Sequence, residues 1–421
     1  MSAFQAGKLS VRLGKEGSNE YLKVSYPLRY GRYHQITDGD YIYQFNLRGE
    51  IRHLQGTGPG WPANEWLKRT AGGDWIYYSA NGYSSVFALL GEHYLPCFSY
   101  MKHPMLSVDP FTTRAVRDAL QSLDRLYTQV QRALGDSLPP DVRAFLESVM
   151  QKAEPVSRPG IPELHEIIGG PVSVLPPDTR HVDYDVIPVV IADGCLYNCG
   201  FCAVKSRQPF AARSRQEIAG QIERLRDLFG PDRVSYNSVF LGQHDALAAG
   251  EERIAFAADR AYDRLGLGDS LMYGANLFLF GSADSLLSAP DTLFRYLEQS
   301  PYRTYVNLGL ESVDQASLDE LEKPLTSEWV RDAFRRMVEL NRRLETVEVT
   351  ANFVLGPSLP AGHLDSIARL AGDGLATTSH KSTLYISPLV SGRTVPDIRR
   401  SVYAIKNRCR VPVFMYLIQR L

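Results

Sequence analysis

The spacing of hydrophobic positions changes twice along the chain. In residues 1–105 they fall in short alternating runs such as "DYIYQFNL", interrupted by glycine-bearing turns such as "NLRGEI". Alternation of that kind predicts short strands, and so a small β-rich N-terminal domain over residues 1–105. From 110 to 154 the apolar residues move to helical spacing around a "SLPP" break, which predicts two helices. The stretch "EPVSRPGIPELHEIIGGPVSVLPPDTR" that follows is dense in proline and glycine and reads as an extended linker. Residues 106–184 are therefore expected to be a helical segment and linker.

Beyond 185 apolar, β-branched runs alternate with amphipathic ones. "YDVIPVVIA", "SVFLG", "ANLFLFG", "TYVNLGLES", "VEVTANFVLG" and "KSTLYISPLV" read as strands, each followed by a helical pattern such as "SRQEIAGQIERLRDLFG" or "SEWVRDAFRRMVELNRR". A last apolar run, "VPVFMYLIQ", reads as a closing strand. Successive βα units predict a parallel sheet with helical crossovers. No G-x-G-x-x-G follows the first strand, which weighs against a dinucleotide-binding unit, and polar residues gather just past the strands. The expected fold class is α/β: a partial (βα)6 TIM-type barrel over 185–421, C-terminal extension included, with the small β-rich N-terminal domain before it.

Charge narrows the picture only slightly. The chain has 46 basic and 47 acidic residues, a net charge of −1, which argues against nucleic acid as the main partner and favours a small-molecule substrate. No apolar run approaches the ~20 residues that span a bilayer, and "MSAFQAGKLSVRLGKEG" holds no signal-peptide core. Five cysteines in 421 residues are too sparse for a disulfide scaffold. A soluble, cytoplasmic protein with no membrane partner is expected; nothing in the pattern bears on its oligomeric state.

Three of those cysteines fall in one short stretch, "ADGCLYNCGFCAVK", as Cys195-x-x-x-Cys199-x-x-Cys202. The stretch directly follows the first strand of the array, at the rim where barrel enzymes place their chemistry. A closed zinc site wants four ligands in paired spacings, and here the second pair is missing; His181 and His244 lack partners at such spacing. A disulfide would leave one thiol over. A [4Fe–4S] cluster held by three thiolates leaves one iron open to a ligand that carries an amine and a carboxylate. A zinc-stabilised binding protein stays open as the reading from another class.

The CxxxCxxC spacing, Phe201 before its last cysteine, and the βα array resemble the radical S-adenosylmethionine (SAM) superfamily over roughly residues 185–400. The resemblance implies one [4Fe–4S] cluster on Cys195, Cys199 and Cys202 and SAM on its open iron. Reductive cleavage of SAM then gives a 5′-deoxyadenosyl radical that abstracts hydrogen from a substrate. It implies a one-electron donor of the flavodoxin or ferredoxin type, and oxygen sensitivity. Gly242, Gln243, His244 and Asp245 stand where relatives hold the SAM amine, although G-Q-H-D departs from the usual G-G-E. Glu311 in "NLGLES" stands where an acidic side chain meets the SAM ribose. Asn352 and Val354 in "TANFVLGPS", with Tyr385 and Ser387 in "LYISPL", stand near adenine. "ESVDQASLDELEKPLT" also resembles the run found in the coproporphyrinogen oxidase and Elongator branch. Arg213 and Arg215, with Lys205 and Arg207, form a basic flank suited to balancing an anionic cluster and a carboxylate.

Other features limit the choice. Only Cys97 and Cys409 remain for any further cluster, so one cluster is expected, and no D-x-H-x-x-G cobalamin signature appears. Transfer of the 3-amino-3-carboxypropyl group of SAM, modification of RNA or a peptide, and a non-catalytic SAM or iron–sulfur sensor remain as alternatives. The aromatic residues of the N-terminal domain read mostly as its core, with a lid over the substrate as the functional alternative. His34, His53, His93 and His103 show no ligand spacing.

Overall fold

The computed structural model describes residues 3–21, 29–61, 65–78, 110–153, 162–202, 204, 206, 208–356, 358–389, 395–416 and 421. Cys97, His93, His103, Lys205 and Arg207 lie outside them.

The alternating N-terminal runs form a seven-stranded antiparallel meander: β1 (Phe4–Ala6), β2 (Leu9–Glu16), β3 (Arg32–Asp38), β4 (Tyr41–Phe45), β5 (Ile51–Gly56), β6 (Trp66–Arg69) and β7 (Trp75–Tyr78). Two helices, α1 (Arg114–Ala133) and α2 (Pro140–Gln151), follow. Their apolar faces close over one side of the sheet, so Val116, Leu126, Phe145 and Leu146 share a core with Tyr43, Phe45 and Leu54. Tyr43, Phe45 and Tyr77 are buried in this core, and Phe4, Tyr41, Trp61 and Trp75 pack against it. Tyr43 donates from this core to Ser122 Oγ at 2.7 Å, which satisfies a hydroxyl that burial would otherwise strand.

The proline- and glycine-rich stretch is more structured than a linker. It holds the short α3 (Glu163–Ile168), ended by the left-handed Gly169, and a 3-10 turn at Pro177–Val182. Its polar groups are what make it useful. Asp178 accepts from Thr350 Oγ1 and Tyr385 Oη, both at 2.7 Å, and Arg180 Nε donates to Tyr385 Oη at 3.1 Å. His181 stacks on Tyr305 at 5.0 Å. Burial, seconded by nearby Glu348, pushes the Asp178 carboxyl up to about 6. The turn is therefore a polar plug against Tyr305, Thr350 and Tyr385 instead of a mere connection.

That second unit is a seven-stranded parallel sheet: β8 (Ile187–Val189), β11 (Ser238–Leu241), β12 (Ala275–Gly281), β13 (Tyr302–Glu311), β14 (Val347–Leu355), β15 (Leu384–Pro388) and β16 (Val413–Met415). A separate ribbon pairs β9 (Ala192–Asp193) with β10 (Ala211–Ala212). Helices α4 (Arg215–Phe229), α5 (Glu251–Leu265), α6 (Ala283–Ser288), α7 (Asp291–Gln299), α8 (Gln315–Glu320), α9 (Ser327–Arg343), α10 (His363–Ala368) and α11 (Val395–Lys406) fill the crossovers. Every strand adds beside its predecessor, with no reversal of order. Right-handed crossovers that never reverse keep all helices on one face, so the sheet curls into an open barrel. The apolar run near 413 is its seventh strand.

Alternate side chains show the two faces. Val306, Leu308, Val349 and Ala351 are buried against the helices. Phe278 stacks on Tyr305 at 5.3 Å inside, and Asn307 pairs with Asn352 on the neighbouring strand. The N-terminal sheet meets the barrel through Asp232 and Ser235, which precede β11, and Asp183 and Asp185, which precede β8. These described strands therefore sit at the end of the barrel opposite its C-terminal rim, so among the described residues the N-terminal sheet forms no lid over that rim.

Candidate active site

The cysteine loop begins where β8 ends, and its base is closed three ways. The β9–β10 ribbon pairs Asp193 with Ala211, Cys195 bridges to Pro209, and Arg213 forks onto Asp193 through Nε at 2.8 Å and Nη2 at 2.6 Å. Gly194 makes this closure sterically feasible. Its φ is +76°, and a Cβ there would lie 2.1 Å from the Pro209 carbonyl oxygen. Cys199 is buried, while Cys195 and Cys202 are half-buried. The inner side of the loop rests on the segment after β13, where Gly200 N donates to Leu321 O at 3.1 Å.

That same segment brings charge under the thiols. Glu311 ends β13 with φ +67°, a left-handed backbone that a residue with a side chain adopts at a cost. Its carboxylate folds back over Gly309, where a Cβ would stand 2.7 Å from Glu311 Oε1. Lys323 follows it into the interior, with Nζ 2.8 Å from the Gly309 carbonyl, 3.4 Å from Glu311 Oε1 and 5.1 Å from the centroid of the Tyr197 ring. Burial raises the Glu311 carboxyl while Lys323 opposes it. Burial likewise pushes the Cys199 thiol up to about 11; Lys323 lowers it, while Glu311 and the two other cysteines raise it. Cys202 is raised by burial as well. Iron binds thiolate, so loading this loop releases protons, and Lys323 is the cation placed to favour that.

The other residues singled out in the sequence divide into two groups. Gly242 N donates to Val189 O at 2.8 Å, which sets the G-Q-H-D turn beside the start of the cysteine loop. Gln243 and His244 are half-buried there, and burial lowers the His244 pKa. Asp245 is turned inward, where it caps Ala246–Ala249 and accepts from Ser285 Oγ at 2.8 Å. Val354 and Asn352 lie on β14, the first with its carbonyl joined to His363 Nε2 at 2.7 Å. Ser387 is half-buried near the end of β15, and Phe201 is half-buried within the loop. Tyr385 instead spends its hydroxyl on the plug at Asp178, and Arg215 sits on the outer helices, paired with Glu252 at 2.9 Å. Arg213 belongs to the base of the loop.

Tyr197 has no mark in the sequence, and Lys323 has no assigned role there although it is the lysine of the run shared with the coproporphyrinogen oxidase and Elongator branch. Lys323 lies within the "ESVDQASLDELEK" run, but a buried lysine has no local signature. Among the described residues, no three or more His, Cys, Asp or Glu side chains converge to hold a single metal ion. A four-iron cluster is gripped at separate corners and needs no such convergence, so three cysteines with one neighbouring cation fit it as a donor set.

Residues 189–371 match the family model of the Radical SAM superfamily. Those residues are a radical SAM domain. The resemblance carried by the cysteine spacing and the βα array is thereby borne out. The superfamily uses a [4Fe–4S] cluster and SAM, and it is a superfamily of enzymes. Among solved structures, a radical SAM methyltransferase from Sphaerobacter thermophilus is 18% identical, with 55% of this chain and 66% of that one covered and a TM-score of 0.37. Coproporphyrinogen III oxidase from Escherichia coli, a radical SAM enzyme, is 12% identical over 51% of this chain and 46% of that one, with a TM-score of 0.32. Methylornithine synthase is 9% identical over 70% and 77%, with a TM-score of 0.35. These likenesses are distant, and the radical SAM assignment rests on residues 189–371. No curated protein matches the sequence. No helix among the described residues is long and apolar enough to cross a membrane.

Proposed function

We propose that this chain is a radical SAM enzyme that removes a hydrogen atom from a small molecule. The observation that carries the reading is the stapled loop of Cys195, Cys199 and Cys202 on the C-terminal rim, with Lys323 and Glu311 gathered beneath it. When bound, the cluster and SAM together supply reductive C–S cleavage to a 5′-deoxyadenosyl radical. The chain's own residues do the rest. The three cysteines hold the cluster. Glu311 accepts from the ribose hydroxyls. Lys323 balances the negative charge of cluster and SAM carboxylate. The turn at Gly242, Gln243 and His244 receives the SAM amine, and Asn352, Val354 and Ser387 border adenine. The barrel wall excludes water from an indiscriminate radical. A small, soluble donor of the flavodoxin or ferredoxin type supplies the electron.

Anaerobic purification with iron and sulfide tests the reading. The expected protein is brown and carries about four irons per chain, as one [4Fe–4S] cluster requires. With SAM and a strong reductant it forms 5′-deoxyadenosine. Cys199→Ala loses both iron and product. Colourless protein with a single zinc would overturn the proposal. Methylthioadenosine in place of 5′-deoxyadenosine would indicate aminocarboxypropyl transfer, and neither product would indicate a sensor.

A further inference from the structure

One carboxylate outside the SAM-facing groups ties the cysteine loop to two other elements. Asp284, in the first turn of α6, accepts from the Tyr197 hydroxyl with one oxygen and from Trp329 Nε1 with the other, the latter at 2.6 Å. Tyr197 stands between Cys195 and Cys199 in the chain. α6 follows β12 and α9, which carries Trp329, follows β13. A single side chain therefore joins the ends of β8, β12 and β13. Trp329 keeps 41% of its surface exposed, an odd place for a side chain that gains most from burial. Its indole N–H is committed to Asp284 instead.

The mechanical need for such a tie follows from the loop's other anchors. Its base is held at Asp193, Arg213 and the Cys195–Pro209 bridge, and its far part at Gly200 on Leu321. Between those points run Leu196, Tyr197 and Asn198, with Leu196 exposed. Between them the Tyr197 ring rests on the core and on Lys323, non-directional contacts that let it slide, and its hydrogen bond to Asp284 adds a directional attachment.

We propose that Asp284 is a positioning residue. Through Tyr197, and steadied by Trp329, it holds the Cys195–Cys199 span in the shape that grips the cluster. It acts without touching iron or SAM. The inference rests on the radical SAM reading above, and it assigns to the structure a support that lies outside the cysteine motif.

The test uses the full chain and four variants: Asp284→Ala, Asp284→Glu, Tyr197→Phe, and Asp284→Ala combined with Tyr197→Phe. Each is loaded anaerobically, and iron release to a ferrous chelator is timed from the decay of cluster absorption. Asp284→Ala and Tyr197→Phe should each release iron about tenfold faster, the scale of one lost hydrogen bond to a charged group. The double variant should release iron no faster than the faster of the two single variants, because both changes break the Tyr197–Asp284 bond. Asp284→Glu should restore part of the retention, and melting temperatures of the iron-free proteins should differ little. Unchanged release in the single variants, or effects that multiply in the double, would overturn the proposal. Amide exchange over residues 195–201 in the iron-free proteins gives a second readout, expected to quicken in Asp284→Ala. If the parent protein takes up no iron, the radical SAM reading fails. Exchange still judges the tie in that case, and an unaltered rate rejects it.

Discussion

Lys323 concentrates the cost of the site at the scale of single residues. A buried ammonium is tolerable only with close partners, and here they are the Gly309 carbonyl, Glu311 and the face of Tyr197. Removing one partner of a buried pair usually costs about 3–5 kcal/mol, because the other charge is left stranded. Lys323→Met should therefore drive the Glu311 carboxyl further up. Equilibrium dialysis with SAM is expected to show at least tenfold weaker binding, while Arg215→Ala, on the outer helices, leaves it unchanged. Glu311 was legible in the sequence because its motif is local. Lys323 was legible only as the lysine of the "ESVDQASLDELEKPLT" run, and its pairing with Glu311 was not, because its burial depends on α8 turning the chain back over β13. Asp245 shows the reverse case: it is a polar residue in the right turn whose side chain the fold uses as a cap.

Among elements, the cysteine loop shows how a backbone conformation carries chemistry. Gly194 and Gly200 both look like turn glycines in the sequence, yet their surroundings differ. At Gly194 a Cβ would meet backbone at 2.1 Å with φ at +76°, whereas at Gly200 it would meet the flexible end of Glu322 at 2.6 Å. Side-chain ends move aside and backbone does not. Gly194→Ala should open the base of the loop and cut iron content after reconstitution to less than half. Gly200→Ala should retain most of it. Circular dichroism of the two should match, since the barrel core lies elsewhere. Periodicity located the long strands and helices of the barrel, because each buries an apolar face along its length, but not the short α6, α8, β9 and β10, which hold too few residues for a period to show. It missed the plug at Pro177–Val182, whose Asp178 and Arg180 are buried polar residues that no apolar pattern marks.

For the whole molecule, the question is how the antiparallel sheet and the barrel are joined. Arg48 reaches Asp232 at 2.7 Å, and Leu47 N donates to the same carboxylate at 2.6 Å. Lys68 meets Asp183 at 3.1 Å and Asp185 at 2.8 Å. Burial raises Asp232 to about 6, with Arg48 opposing it. A carboxyl raised in the folded state takes up protons more readily there than when unfolded. Its contribution to stability is thus present below the unfolded pKa near 3.8 and is lost as pH rises through about 6. Arg48→Ala removes the compensating cation and widens that loss. Its melting temperature should fall below the parent's by more at pH 8 than at pH 5, as read by calorimetry at both. An equal deficit at both pH values would show that the pair does not join the two units electrostatically.

The sequence by itself determined the order of the long strands and helices, the parallel sheet, the cysteine loop and the radical SAM character of residues 189–371. All of these follow from short-range spacing, or from residues that chemistry places close together in the chain. Only the tertiary structure decided that the N-terminal sheet lies opposite the rim, that Tyr385 faces a polar plug, and that Lys323 and Asp284 support the loop from separate elements. Those outcomes depend on which side chains meet across distant strands, and neither hydrophobic period nor local motif encodes such meetings.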